Sequence, residues 1–166
     1  MSQTLVAKPL TAKAFQPYGD VLAAEGAPDR LINQGRCGRF HDRATLDFGP
    51  EGRAGISLFQ SETVDWPVEI AMVERHPEGS QAFISMSGHP FLVVAALDEG
   101  GVPGAPEAFV ATGEQGINFH RGTWHGVLMP LHKPGLFAVI DRIGTTPNLE
   151  EHWFDDPYIV RREQPL

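Results

Sequence analysis

The sequence predicts a mainly β domain of the barrel or sandwich type. Short apolar runs alternate with turn residues, with a break about every 10 residues, which is typical of such folds. No long stretch keeps the apolar period of an amphipathic helix, so alternating strand–helix units are not expected. Gly and Pro are frequent, at 18 and 14 of 166 residues, and they supply turns between strands.

The predicted elements begin with one short helical turn and continue as strands. Residues 11–15 could form the turn, which Pro17 would end. The tail from 147 to 166 carries three aromatic residues, so we expect it to dock on the fold. The predicted strands are 56–59, 68–76, 81–86, 91–97, 108–111, 117–120, 124–129 and 136–141.

Length and composition restrict the class of protein. A chain of 166 residues is expected to form a single domain, here 1–166. The net charge of −8 argues against a nucleic-acid partner. No stretch has the length and apolarity of a signal peptide or a membrane span, so a cytoplasmic protein without a membrane partner is expected. Cys37 is the only cysteine, which excludes an intramolecular disulfide, and we expect it to be semi-buried.

The run 68–76 gives the first indication of a site. Side chains alternate between the two faces of a strand, so Glu74 and His76 should share a face with Val68 and Ile70. That apolar face is the expected barrel interior, and Arg75 should point outward. A carboxylate and an imidazole facing inward are costly unless they are paired or hydrogen-bonded, or bind a ligand.

Several familiar motifs are absent. The sequence has neither GxGxxG nor GxxxxGK[ST], so no nucleotide or organic cofactor is expected. It also lacks HExxH and GxSxG.

Two segments hold most of the polar residues that could carry chemistry. In the first, Glu74 and His76 are followed by Gln81 and then Gly88. This spacing resembles the first motif of the cupin superfamily, in which HxH is followed by Glu and then Gly. The resemblance implies a cupin-like β-barrel, also called a double-stranded β-helix or jelly roll, with few short helices.

The second segment resembles the second cupin motif, PxGxxH. His120 takes the place of the Pro, Gly122 that of the Gly, and His125 that of the His. Cupins typically bind a divalent metal through three His and one Glu. Here the matching positions are Glu74, His76, Gln81 and His125, which keep one carboxylate and two imidazoles. Such a set could hold a divalent first-row ion with open positions, of an identity the sequence leaves open.

A closer resemblance covers nearly the whole chain. The sequence is similar to the ureidoglycolate lyase family of allantoin degradation. The similarity is carried by the blocks Phe15–Val21, Ile32–Gly35, Arg39–Asp42, Glu74–Pro77, Gln81–Ile84, Gly113–Arg121, Trp124–His125 and Ile140–Arg142. The resemblance implies a carbon–nitrogen lyase that converts (S)-ureidoglycolate to glyoxylate and urea in purine breakdown, acting as a homodimer.

The residues present suit that reaction. It needs a base for the substrate hydroxyl and a proton donor for the departing urea nitrogen, and His or Glu can serve as either. We expect His76, Gln81 and His125, with Glu74, to hold either a metal or the hydroxyl directly. His120 or Glu74 would exchange the proton.

The substrate carboxylate calls for a cation, and Arg suits it because it binds carboxylates in bidentate fashion. The candidates are Arg39, Arg75, Arg121 and Arg142. Strand alternation argues against Arg75. The first choice is Arg142, because it shares a face with apolar residues of the run 136–141, and that face could be inward; Asp141 could instead point inward and orient a His.

Two other functions fit the same motifs. One is a metal-dependent cupin oxygenase or isomerase that acts on another small hydroxy acid. The other is a cupin that binds a ligand without catalysis. Metal analysis and product analysis would separate these alternatives from the lyase.

Overall fold

The structure, a computed structural model, describes residues 3–163, and nearly all of its regular elements are strands. The only helix among these residues is α1, Ala12–Phe15. No helix in the described part of the chain is long and apolar enough to cross a membrane. The strands are β1 Gln3–Pro9, β2 Gly19–Leu22, β3 Arg30–Ile32, β4 Cys37–Arg39, β5 Arg53–Ser61, β6 Val68–Arg75, β7 Gln81–Ser85, β8 Phe91–Ala96, β9 Glu107–Ala111, β10 Gly116–Phe119, β11 Trp124–His125, β12 Met129–Pro130, β13 Gly135–Ile143 and β14 Glu150–Arg162.

The strands form two main sheets. In one, the order is β11-β6-β14-β1-β9-β8-β12, and β11 also pairs with β8, which closes this sheet into a barrel. The other has the order β2-β10-β7-β13-β5, and β3 and β4 pair separately as a hairpin. The mainly β class predicted from the sequence is confirmed, and the architecture is consistent with a cupin-like barrel.

Two apolar cores lie on the two sides of β8, whose residues alternate between them. One core fills the closed barrel and contains Val73, Trp124 and Val160. The other lies between the barrel and the five-stranded sheet. Burial of an aromatic side chain contributes about 1.5–3 kcal/mol, so this second core supplies much of the stability that holds the sheets together. Its phenylalanines are Phe15, Phe83, Phe91, Phe109, Phe119 and Phe137.

The predicted helical turn is present and anchors the second core. The Thr11 side chain accepts a hydrogen bond from the N–H of Ala14 at 3.2 Å, which caps α1. Phe15, at the end of α1, is fully buried and packs edge-on against Phe109. Pro17 follows this short turn, as the sequence predicted.

The simple alternation predicted for β6 is wrong in one respect. Val68 and Ile70 lie in the barrel core together with Val73, which is on the opposite face from Glu74. The pairing of β6 with β14 shifts register between Ile70 and Met72, so the alternation does not run unbroken along the strand. Val68 and Ile70 therefore do not share a face with Glu74.

Other predicted elements differ in their bounds. The run 124–129 is divided into β11 and β12, because its register against β8 shifts by one residue: His125 lies opposite Ala95, whereas Met129 lies opposite Leu92. Docking of the C-terminal tail is confirmed for Glu150–Arg162, because β14 pairs with β6 and with β1; residues 164–166 of the predicted tail lie outside the described residues. Cys37 is exposed rather than semi-buried, because it lies on the β3–β4 hairpin outside both cores.

Candidate active site

The centre of the candidate site is set by the pairing of β6 with β11. Glu74 and His125 are direct antiparallel partners, so their side chains leave the sheet on the same face. His125 is also paired with Ala95, which belongs to the core between the barrel and the five-stranded sheet. Glu74 and His125 therefore point into the space between the two sheets. This agrees with the prediction that the Glu74 side chain faces inward.

His76 follows β6 and completes a cluster with these two residues. Its Nε2 lies 3.9 Å from Oε1 of Glu74. The rings of His76 and His125 have centroids 5.3 Å apart. One ligand atom from each of the three residues can be chosen so that all lie within 4.8 Å of one another. The structure thus brings together three of the four residues that cupin spacing selected as metal ligands.

His125 has the features of a metal ligand. The residue is 1 % exposed, and its ring stacks on Phe119 at a centroid distance of 4.2 Å. Its Nδ1–H donates to the carbonyl of Gly126 at 2.9 Å, which leaves the lone pair on Nε2. Nε2 is buried and has no hydrogen-bond partner among the described residues. A buried, unpartnered nitrogen beside a carboxylate and a second imidazole fits a divalent first-row ion.

Burial also sets the electrostatics of the cluster. It lowers the pKa of His125 from 6.5 to about 3, helped by the nearby His76 and opposed by the Gly126 carbonyl. Burial raises the pKa of the Glu74 carboxyl, as does the nearby Glu151, while His76 opposes the shift. At neutral pH His125 is therefore a neutral ligand, and Glu74 accepts a proton more readily than an exposed carboxylate.

The fourth predicted ligand, Gln81, lies in contact with His76. Its Oε1 is 3.0 Å from His76 Nε2. Its Nε2 donates to Oδ2 of Asp141 at 3.1 Å, across the β7–β13 pair in which the two residues are direct partners. Because a carboxylate can only accept, Asp141 fixes the Gln81 amide with its oxygen toward the cluster. Asp141 thus points inward, and it orients Gln81 rather than a His.

Asn148 is a residue of the site that the sequence analysis missed. Its backbone carbonyl accepts from Nδ1–H of His76 at 2.7 Å. Its side-chain oxygen accepts from the N–H of Glu78 at 2.7 Å. Asn148 lies far from His76 in the chain and belongs to no cupin motif, so no local pattern could have selected it.

His120 lies outside the three-residue cluster. Its Nε2 is 3.1 Å from Oδ1 of Asp20, and its side chain is 42 % exposed. Asp20 also accepts from Asn118 and from the N–H of Thr45. Of the two residues predicted to exchange the proton, the structure therefore places Glu74 beside His76 and pairs His120 with Asp20.

The prediction that the Arg142 side chain could face inward is wrong. Phe137 and Val139 are the fully buried residues of β13, so Arg142 lies on the outer face of the five-stranded sheet. Its Nε donates to the carbonyl of Phe48, and its Nη1 is 3.4 Å from Oε2 of Glu78. The Arg142 guanidinium is thus held by groups other than the cluster.

The other arginines occupy different positions. Arg75 points away from the cluster, as predicted: it stacks over the Trp124 ring and pairs with Asp98. Arg39 is exposed on the β3–β4 hairpin. Arg121 donates from Nε to the carbonyl of Pro77, which directly follows His76 in the chain, so it is tied to the segment that carries the cluster.

A cleft of about 440 Å³ opens onto Glu74 and His125. Its walls come from the end of β5, from β7, and from the segment after β11. None of its lining residues is Arg or Lys. The lining residues are Phe59, Gln60, Ser61, Glu74, Phe83, His125, Val127 and Leu128.

Comparison with known proteins identifies the family. A family model described as "Ureidoglycolate lyase" matches residues 2–161. The chain belongs to the ureidoglycolate lyase family. A ureidoglycolate lyase of Rhodobacter capsulatus is 52 % identical over 158 residues, covering 95 % of this chain and 98 % of that protein. Ureidoglycolate lyase 2 of Rhizobium meliloti is 50 % identical, with 92 % and 94 % covered. A ureidoglycolate lyase of Brucella melitensis is 48 % identical, with 97 % and 95 % covered.

Membership of the ureidoglycolate lyase family confirms the resemblance predicted from the sequence. The match runs from the N-terminal strands to β14, so it includes every residue of the cluster as well as Gln81, Asp141 and Asn148.

Proposed function

We propose that this chain is a carbon–nitrogen lyase that cleaves (S)-ureidoglycolate to glyoxylate and urea in allantoin breakdown. Family membership supports the activity. The structural observation that carries the proposal is the cluster of Glu74, His76 and His125, in which the Glu74 carboxylate and the His125 imidazole open onto one cleft and His76 lies beside them.

The cluster can supply both proton transfers. The Glu74 carboxylate takes the proton of the substrate hydroxyl, because burial raises its pKa toward that of an effective base. The hydroxyl oxygen then becomes the aldehyde oxygen of glyoxylate, and the electron pair of the carbon–nitrogen bond passes to the nitrogen. Nε2–H of His76 protonates that nitrogen, and urea leaves without consumption of water.

The same residues reset the site after each turnover. Glu74 holds the proton taken from the hydroxyl, and His76 has lost one to urea. Their Oε1 and Nε2 atoms are 3.9 Å apart, so the proton can return from the carboxyl to the imidazole with a small movement or through one water. The cycle then has no net proton change, in agreement with a lyase reaction.

Where a divalent ion is bound, Glu74, His76 and His125 would hold it through these same atoms, with the Gln81 oxygen at its edge, and the proton transfers described above belong to the metal-free form. Such an ion would acidify the substrate hydroxyl and offset the negative charge of the substrate. His125 suits this position because its neutral ring turns an unpartnered Nε2 toward the cluster. Phe119 fixes the plane of that ring by stacking against it.

Arg121 replaces Arg142 as the proposed binding group for the substrate carboxylate. The described lining of the cleft contains no Arg or Lys, whereas the 120–122 loop is tied to His76 and Pro77 by two hydrogen bonds. The Arg121 side chain is about half exposed, and its Nη1 lies 3.7 Å from Oδ2 of Asp47, so a substrate carboxylate would compete with Asp47 for the guanidinium. A homodimer and a cytoplasmic location complete the proposal.

Product analysis tests the function. The purified chain, loaded with a divalent metal or freed of metal by chelation, is incubated with (S)-ureidoglycolate, and glyoxylate, urea and ammonia are measured. We expect glyoxylate and urea in equal amounts and no ammonia. Ammonia and carbon dioxide would indicate an amidohydrolase, and no turnover under any condition would indicate a binding protein.

A further inference from the structure

Arg142 is a buried cation that takes no part in the proposed reaction. Its side chain is only 5 % exposed, although it lies near the end of β13 on the outer face of the five-stranded sheet. A guanidinium stays protonated in a protein, so its burial is unfavourable unless its N–H groups are bonded. The burial of Arg142 is therefore maintained by the groups that surround it.

The Arg142 guanidinium binds three segments that are far apart in the chain. Its Nε donates to the carbonyl of Phe48 at 3.0 Å. Its Nη2 donates to the hydroxyl of Thr146 at 3.0 Å, and its Nη1 lies 3.4 Å from Oε2 of Glu78. The Thr146 hydroxyl in turn donates to the same Glu78 oxygen. These four residues, called the Arg142 network below, join three loops at one buried charge.

Two glycines make room for the network. A Cβ added at Gly52 would lie 2.6 Å from Nε of Arg142 and would overlap the Phe48 oxygen to which that Nε donates. A Cβ added at Gly144 would overlap Nη1 of Arg142. Close packing leaves no space for such atoms, so these positions allow the chain to approach the guanidinium directly. The loops are thus shaped around Arg142.

Asn148 connects the Arg142 network to the cluster. Its Oδ1 accepts from the N–H of Glu78 at 2.7 Å, and its backbone carbonyl accepts from Nδ1–H of His76 at 2.7 Å. Glu78 lies two residues after His76, and Asn148 lies two residues after Thr146. The guanidinium therefore holds together the two segments that meet at the His76 ring.

We propose that Arg142 is a positioning residue for His76. By joining these two segments it holds the Asn148 carbonyl in place, and that carbonyl orients the imidazole. With Nδ1–H bound to Asn148, Nε2 of the same ring lies 3.0 Å from Oε1 of Gln81 and 3.9 Å from Oε1 of Glu74. Arg142 thus acts on the cluster through hydrogen bonds, without contact with the substrate.

Nuclear magnetic resonance of the imidazole groups tests this positioning independently of activity. The Nδ1–H groups of His76 and His125 both donate to backbone carbonyls, so each proton should exchange slowly with water. In Arg142→Met we expect the His76 proton to exchange about tenfold faster, and the His125 proton to keep its rate. The matched control is Arg53→Met, which removes an exposed arginine from the neighbouring strand β5 and should change neither rate. The His76 signal is identified by its loss in His76→Gln.

The effect on kcat and KM separates positioning from substrate binding, and this part of the test rests on the proposed function. The described lining of the cleft does not include Arg142. Arg142→Met should therefore lower kcat for (S)-ureidoglycolate about tenfold or more and leave KM within about twofold of its original value. A raised KM with an unchanged kcat would show that Arg142 binds substrate, and would overturn the proposal.

Variants of Asn148 test the same link if Arg142→Met does not fold. Asn148→Ala keeps the backbone carbonyl but loses the oxygen that accepts from Glu78, so the His76 proton should again exchange faster. Asn148→Asp should restore slow exchange, because its carboxylate can still accept from that N–H.

Two results would overturn the positioning role of Arg142. One is an unchanged exchange rate at His76 in Arg142→Met or, where that variant does not fold, in Asn148→Ala. The other is an equal acceleration at His125, which would show a general loss of stability. If the exchange rates follow the expectation but no variant turns over ureidoglycolate, the proposed function fails and the positioning of His76 stands.

Discussion

At the scale of single residues, the site depends on how each ring nitrogen is occupied. His125 donates from Nδ1 to Gly126 and leaves a buried Nε2 without a partner among the described residues. Both nitrogens of His76 face carbonyl oxygens, of Asn148 and Gln81. The two histidines of the cluster are therefore suited to different roles: His125 to bind a metal ion, and His76 to donate a proton.

Burial of His125 predicts a loss of stability at moderately acidic pH. Its pKa is 6.5 when unfolded and about 3 when folded, so the unfolded chain binds one more proton between these values. The free energy of unfolding should then fall as the pH falls below 6.5, by up to about 1.4 kcal/mol per pH unit. The raised pKa of Glu74 acts in the opposite direction, at pH values from its ordinary 4.5 up to its raised pKa.

Denaturant unfolding of metal-free protein between pH 6.5 and 5 measures this slope, in comparison with His125→Gln. In His125→Gln the free energy of unfolding should fall less steeply as the pH falls, by the slope that one bound proton contributes. Parallel curves for the two proteins would show that His125 is not buried in its neutral form.

The hydrogen bond from Gln81 to Asp141 predicts a positioning effect. Asp141→Ala should remove the acceptor that fixes the Gln81 amide. A resulting rise of about 1.4 kcal/mol in the activation free energy lowers kcat about tenfold. Asp141→Asn should restore most of the rate, because its side-chain oxygen can still accept from Gln81. Divalent-metal affinity, measured by calorimetry, should follow the same order. Equal kcat and affinity in both variants would refute this role.

At the scale of elements, the cluster depends on the loop that joins β10 and β11. In that loop the N–H of Gly122 donates to the carbonyl of His76, and Arg121 donates to that of Pro77. The loop therefore holds the end of β6 from one side, while Asn148 holds His76 from the other. Three segments far apart in the chain thus position one imidazole.

Arg121→Gln should raise KM for ureidoglycolate by about tenfold or more, with a smaller change in kcat, because a bidentate carboxylate contact contributes about 1.5–3 kcal/mol. Arg39→Gln is the matched control: it removes the same charge from the exposed β3–β4 hairpin and should leave KM unchanged. Steady-state kinetics of glyoxylate release provide the comparison. An unchanged KM in Arg121→Gln, or an equal rise in Arg39→Gln, would reject Arg121 as the carboxylate-binding residue.

At the scale of the whole molecule, sequence patterns predicted the features that depend on neighbouring or regularly spaced residues. The alternation of apolar and turn residues predicted the β class, and the two-motif spacing selected Glu74, His76, Gln81 and His125, which the structure brings together. Asn148 and Asp20 were not predicted, because each contacts the histidines through pairings of distant segments. These contacts leave no periodic signal in the sequence.

The error over Arg142 has a physical cause at the same scale. Both faces of β13 are apolar, Phe137 and Val139 on one and Ala138 and Ile140 on the other. Alternation alone cannot tell which of two apolar faces meets the core, and only the first pair is fully buried. The second pair, on the outer face, is only partly buried, and its apolar side chains made that face resemble a core face in the sequence.

The rate of urea formation from (S)-ureidoglycolate by His125→Gln tests most directly the claim that the cluster carries the lyase reaction. His132→Gln is its control, because His132 is exposed and its ring contacts only His89 among the aromatic pairs of the described residues. We expect His125→Gln to lose at least about a hundredfold in rate while remaining folded, and His132→Gln to keep the full rate. Full activity in His125→Gln would contradict a site centred on Glu74, His76 and His125.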